Sequence, residues 1–227
     1  MGKYCGVNKP MVKIGTGFFF EESPGDENGY RLRHDQMDAL TEEVAAIAHD
    51  GRKITIVTSG AIATGAHFMR KDVKKDSHER AQLAGVGQPI LFARYVDGFA
   101  KHGTYCAQYL IDSDDLLIES RRKNLLSVQE GHFRDGVVGI YNENDALSTD
   151  EITFGDNDIL AANLAWCLGA DLLVMMSNPV GILGTGVGES KEKAREILAA
   201  RHIPVEIING RYERDGQVWK PKIRELI

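Results

Sequence analysis

RHDQMDALTEEVAAIAHDGRKITIVTSGAIATG, residues 33–65, decides the fold. Its first half places Met37, Leu40, Val44, Ile47 and Ala48 at helical spacing and stops at Gly51, which predicts an amphipathic helix. Lys53–Thr58 then reads as a short buried strand, and Ser59–Gly60 as the turn that opens a second helix. MVKIGTG (residues 11–17) supplies the strand in front, completing a strand, helix, strand unit.

The same theme continues outward. Helical patterns are expected over residues 77–103, near 121–133, over 159–168 and over 189–201. Strands are expected over 104–111, 137–141, 171–176 and 204–210. Strands that alternate with helices and are apolar almost throughout predict a largely parallel sheet covered on both faces. Ligands of such sheets bind beyond the carboxyl ends of the strands. Residues 15–17, 59–60, 142–158 and 177–188 all fall on that rim.

Composition bounds the class. The 227 residues, 43% hydrophobic and 26% charged, fit one globular domain, residues 1–227, without disorder. A net charge of -6 argues against a nucleic-acid surface. No signal peptide or transmembrane run is seen, so no membrane partner is expected. Cys5, Cys106 and Cys167 are far apart and suggest neither a disulfide framework nor a metal pair; a reducing cytoplasm is expected. The seven histidines show no metal-ligand spacing and read as surface residues, and Phe18–Phe20 as a packing or interface patch.

Four segments carry candidate chemistry. In KIGTG (13–17), Gly15, Thr16 and Gly17 form a turn able to bring backbone N–H groups to a phosphate. A plain tight turn is the competing reading, but Lys13 lies in an apolar strand and must meet an anion there. Ser59 and Gly60 form either a simple N-cap or an anion site at a helix start. GTGVGESK (184–191) is a flexible loop or a phosphate-facing one, and its glycines match neither the P-loop nor the dinucleotide fingerprint. YNENDALSTDEITFGDNDIL (141–160) is crowded with carboxylates and carboxamides between apolar segments. The sixth position from Asp156 is Ala161, which excludes an EF-hand, and no residue is expected to ligate a metal directly.

The order VKIGTG, IVTSGAIATG, AGVGQ, AQYLIDSDD, NENDALSTDEITFGDND, GADLLVMMS and GTGVGESK resembles the amino acid kinase family over residues 11 to about 211, most closely its glutamate-phosphorylating branch. That resemblance implies a three-layer αβα sandwich, the amino acid kinase fold, with an acceptor-binding part over roughly 11–165 and a nucleotide-binding part over roughly 166–227. It implies transfer of phosphate from ATP, with Mg²⁺, to the γ-carboxylate of glutamate, the first step of proline biosynthesis. Lys13 and Lys191 then contact the transferring phosphates, and Asp158 organises them. Ser59, Gly60, Asp145 and Asn157 hold glutamate. Gly15, Thr16, Gly17, Ser177, Asn178, Gly184, Thr185 and Gly186 line the nucleotide. Asp156 orders lysines, metal and loop, and a homo-oligomer is expected. A catalytically weak regulatory paralogue and a kinase of another small acid are the alternatives.

Three departures from the family pattern stand out. Gly17 replaces a usual serine, Asn178 replaces a usual aspartate, and SNPVGIL runs straight into the glycine loop without the TADP-containing stretch. The RNA-binding-like C-terminal domain of many relatives is not expected here.

Overall fold

The structure is a computed structural model that describes residues 3–22, 30–73, 76–147, 156–177, 187–209 and 223–227. In chain order the elements are β1 (Pro10–Ile14), α1 (Thr16–Phe19), β2 (Phe20–Glu22), β3 (Tyr30–Leu32), α2 (His34–His49), β4 (Thr55–Val57), α3 (Ala61–Met69) and α4 (Ser77–Ala100). They continue with β5 (Cys106–Ile111), α5 (Ser113–Leu117), α6 (Glu119–Arg134), β6 (Val138–Glu143), α7 (Asp156–Leu168), β7 (Leu172–Ser177), α8 (Val187–Ala199), β8 (Val205–Asn209) and α9 (Ile223–Leu226).

Six strands form one sheet in the order β5-β6-β4-β1-β7-β8, every pairing parallel. Period-two alternation divides β1 between the two faces. Val12 and Ile14 join a core with Leu40, Val44, Ile56 and Val174, under α2 and α4. Met11 points the other way, into a core with Val57, Leu164, Leu173 and Leu198, under α7 and α8. Lys13 lies two residues on from Met11 and therefore faces α7 and α8. The molecule is the three-layer α/β sandwich expected, with β1 at its centre.

Local chemistry explains the element ends. Asp76 caps α4 by accepting a hydrogen bond from the Glu79 N–H at 2.9 Å. Asp112 and Asp115 form a capping box on α5. Pro10 opens β1, where a missing N–H is tolerated. The Phe18–Phe20 run is buried packing, with Phe18 and Phe19 fully excluded from solvent. The antiparallel pair β2–β3 and the short helices α1, α5 and α9 were not evident from the pattern, being too short for a period to register. The three cysteines are free; none of the histidines is buried, with His49 exposed and hydrogen-bonded to Thr104 and the half-buried His132 hydrogen-bonded to Tyr109. Among the described residues no helix is long and apolar enough to cross a membrane.

Candidate active site

Parallel strands bring β1, β4, β6 and β7 to one carboxyl edge, and α7 and α8 both begin there. Asp158, in the first turn of α7, is 1% exposed and meets the Lys13 Nζ at 2.5 Å. Its other oxygen receives the Ser190 hydroxyl at 2.9 Å and the Lys191 Nζ at 3.3 Å. Lys13 and Lys191 are 7% and 8% exposed, so two ammonium groups share one buried carboxylate. Burial alone would raise the Asp158 carboxyl, but Lys13, then Lys191 and Ser190, outweigh it and hold it below the usual range. Burial lowers Lys191 below the ordinary lysine value, and Lys13 adds to this while Asp158 opposes it. The arrangement concentrates positive charge between two helix N-termini, whose own partial charge also favours anions.

Beside it runs a chain of amides. Asn157 donates from Nδ2 to the Ser59 hydroxyl at 3.0 Å and to Asn142 Oδ1 at 3.2 Å. Asn142, at the end of β6 and 1% exposed, donates from Nδ2 to Gln88 Oε1 at 2.7 Å. Gln88 leads into a cleft of about 320 Å³ lined by Ala61, Gly85, Gln108, Glu143, Asn144 and Asp145, among others. Among the described residues the buried Asn157 Oδ1 has no hydrogen-bond partner, and it is an acceptor suited to a donor from a ligand.

Ser59 is not the helix cap. Gly60 takes that position in α3 with φ +106°, a conformation glycine adopts freely, and no side chain caps the helix. This leaves the Ser59 hydroxyl for Asn157. Thr58 anchors the turn from below: its hydroxyl accepts from the buried Tyr95 O–H at 2.9 Å and donates to the Ser59 carbonyl at 3.1 Å. Gly15 begins the turn after β1, where its N–H donates to the Met176 carbonyl at 3.0 Å, so Thr16 and Gly17 lie beside the end of β7.

The expected residues Lys13, Asp158 and Lys191 therefore meet, as do Ser59 and Asn157, with Gly60 adjacent. Asp145 lies on the cleft wall rather than in the amide chain. Asn178 and Gly184, Thr185 and Gly186 fall outside the described residues, as do the side chains of Asp156 and Ser177. Gln88 and Ser190 were absent from the sequence-based set. Ser190 had a signal in its position next to Lys191; Gln88 had only its place at the end of AGVGQ.

The model of the amino acid kinase family matches residues 11–199. Glutamate 5-kinase from Clostridium acetobutylicum is 30% identical, with 95% of this chain and 96% of that protein covered. The alignment runs over 261 positions against 227 residues here, so that relative carries residues this chain lacks. Glutamate 5-kinase from Halorhodospira halophila is 37% identical over 174 residues, 76% of this chain and 45% of that protein. The chain spans about half the length of several such relatives. UMP kinase from Bacillus anthracis superposes with a TM-score of 0.59 at 11% identity, covering 90% of this chain and 88% of that one. At such identity the likeness is one of fold. With the family match extending over most of the sequence, the chain belongs to the amino acid kinase family.

Proposed function

We propose that the chain transfers the γ-phosphoryl group of MgATP to the γ-carboxylate of L-glutamate, the activity its relatives are named for. The observation that carries this reading is the pair of buried lysines gathered on Asp158, at the rim of the sheet and next to an amide-lined cleft. A carboxylate acceptor is already ionised at neutral pH and needs no general base. What the transfer requires is neutralisation of charge on the phosphoryl oxygens, and cationic groups fixed in a site of low dielectric supply it.

In this reading a carboxylate oxygen of glutamate bonds to the γ-phosphorus as the bond to the β,γ-bridging oxygen breaks. ADP departs with that electron pair, and an acyl phosphate remains. Lys13 and Lys191 face the transferring group, and Asp158 holds their spacing. Ser59, Gly60, Asn157 and Asp145 position glutamate, with the unpartnered Asn157 Oδ1 suited to its ammonium group. Gly15, Thr16 and Gly17 border the phosphates. Magnesium arrives on the triphosphate, whose oxygens are the hard ligands it prefers; Asp158 is already engaged by Lys13, Lys191 and Ser190.

The test is ADP release from MgATP with and without glutamate, with hydroxylamine present to trap the acyl phosphate as a hydroxamate. Glutamate-dependent ADP release with stoichiometric hydroxamate is expected. ADP release that ignores glutamate, or none at all, overturns the proposal.

A further inference from the structure

We infer that the Gln88 carboxamide N–H groups receive the non-reacting α-carboxylate of the acceptor, and that a single backbone N–H fixes them in that direction; this rests on the reading of glutamate as acceptor. The orientation follows from a chain of hydrogen bonds with one immovable end. The backbone N–H of Glu143 donates to the Asn142 side-chain oxygen at 3.0 Å, and a backbone amide is only ever a donor. Asn142 must therefore present its oxygen to that side and its Nδ2 to Gln88. Gln88 must in turn offer Oε1 to Asn142, which turns Nε2 and its two protons away. The same logic runs in the other direction, where Asn157 donates its Nδ2 to Asn142 and is left with a bare, buried oxygen. Three carboxamides are thus polarised by the one N–H, with donors at the Gln88 end and an acceptor at the Asn157 end.

An α-amino acid head group has the complementary polarity, carboxylate at one end and ammonium at the other. No lysine or arginine is among the described residues lining the cleft, and Glu143 and Asp145 stand on its wall, so a carboxylate there has only neutral donors such as the Gln88 amide to receive it while the two acids favour placing the ammonium group on their side. Of the carboxamides on its wall, Gln88 is the one whose oxygen is anchored from behind, so its donors carry no flipping penalty on binding. A site whose donors are matched to a substrate group rejects analogues lacking that group, because its polar atoms are then left unpaired.

The variants Gln88→Glu and Gln88→Met separate this role from mere support of Asn142. Glutamate at position 88 keeps the oxygen that Asn142 needs but replaces the donors with negative charge; methionine keeps the volume and removes both. The readouts are KM for glutamate and inhibition constants for two analogues. One is 4-aminobutyrate, which lacks the α-carboxylate; the other is glutarate, which keeps both carboxylates and lacks the ammonium.

Q88E is expected to raise KM for glutamate and the glutarate constant by about 100-fold, and Q88M by about 10-fold, the scale of losing a hydrogen bond to a charged group. The 4-aminobutyrate constant should stay within about twofold in both, since that analogue makes no such contact. A near-normal Q88E, or an equal rise for all three compounds, overturns the inference while leaving the kinase reading intact. Absence of glutamate turnover in the unaltered protein overturns the kinase reading, and this inference with it.

Discussion

Asp158 is the residue on which the site turns, since each of its oxygens meets one ammonium group and its single negative charge is shared between the two. Replacing it by asparagine leaves two buried cations facing a neutral amide. Breaking a buried ion pair in this way costs about 3–5 kcal/mol, so Asp158→Asn should lower the denaturation midpoint as well as activity. Lys13→Ala removes a single charge from the transferring phosphate and should reduce kcat by about 100-fold or more, the scale of one lost transition-state contact; Lys191→Ala should do the same. Unchanged turnover in both would place the phosphates elsewhere. Asp145→Ala, by contrast, should raise KM for glutamate and leave MgATP affinity nearly as it was, and equal losses on both would reject that assignment. Lys191 also gives a pH signature. Its native value lies below the ordinary 10.5, so the folded protein gives up this proton at a lower pH than the unfolded chain does. Between the two values the unfolded state binds more protons and stability rises with pH, while the charge facing the phosphate disappears. The alkaline limb of kcat/KM is therefore expected below pH 10.5, and in Lys191→Arg, which stays charged, that limb should vanish. A limb that survives unchanged in Lys191→Arg belongs to another group.

The proposed acceptor cleft depends on how closely α3 and α4 approach. A Cβ on Gly87 would lie 1.8 Å from the Ala61 carbonyl oxygen and 2.4 Å from the Gly65 nitrogen, both backbone atoms of the facing helix. Gly65 is equally constrained against the Leu83 carbonyl, at 1.9 Å. Backbone cannot yield as a side-chain tip does, so Gly87→Ala should destabilise the protein by about 1–3 kcal/mol or more, read from chemical denaturation. It should also raise KM for glutamate, because Gln88 is the next residue and moves with α4. The contrast with Gly85, where a Cβ meets nothing within 4 Å, makes Gly85→Ala the control expected to be nearly neutral in stability. Elements of this length were legible in the sequence. The apolar spacing of Met37, Leu40, Val44 and Ile47 marked α2, and Lys13 between Val12 and Ile14 announced an anionic partner. The identity of that partner was not legible from pattern, since Asp158 comes from a different helix far along the chain; only family resemblance pointed to it. Gln88 stayed hidden because its role is created by Asn142, a neighbour in space that no periodicity records.

For the molecule as a whole, the parallel sheet with helices on both faces followed from alternating apolar strands and helical segments, whereas the hairpin β2–β3 lay in too few residues to announce itself. By its resemblance to the family pattern, the segment after β7, proposed to border the nucleotide, carries the largest departure. This chain lacks residues that the Clostridium protein has, and the TADP-containing stretch is absent from its sequence. Phosphate contacts are common to every nucleoside triphosphate, whereas a hydrogen-bonded base edge gives discrimination. Weak MgATP binding with little preference over MgGTP is therefore expected in titration calorimetry, and tight binding with clear rejection of MgGTP would show that other residues enclose the base. The position of β1 has a further consequence for biosynthesis. Residues 10–14 pair with β4 on one side and with β7, residues 172–177, on the other, so the strand made first on the ribosome waits for one made much later. Until α7 emerges, Lys13 has no carboxylate to neutralise it, and a nascent chain cut short before residue 158 carries an ammonium group it cannot bury. The cluster of Lys13, Asp158 and Lys191 therefore cannot assemble until residue 191 has been made, which ties the order of synthesis to the order in which its charges find partners.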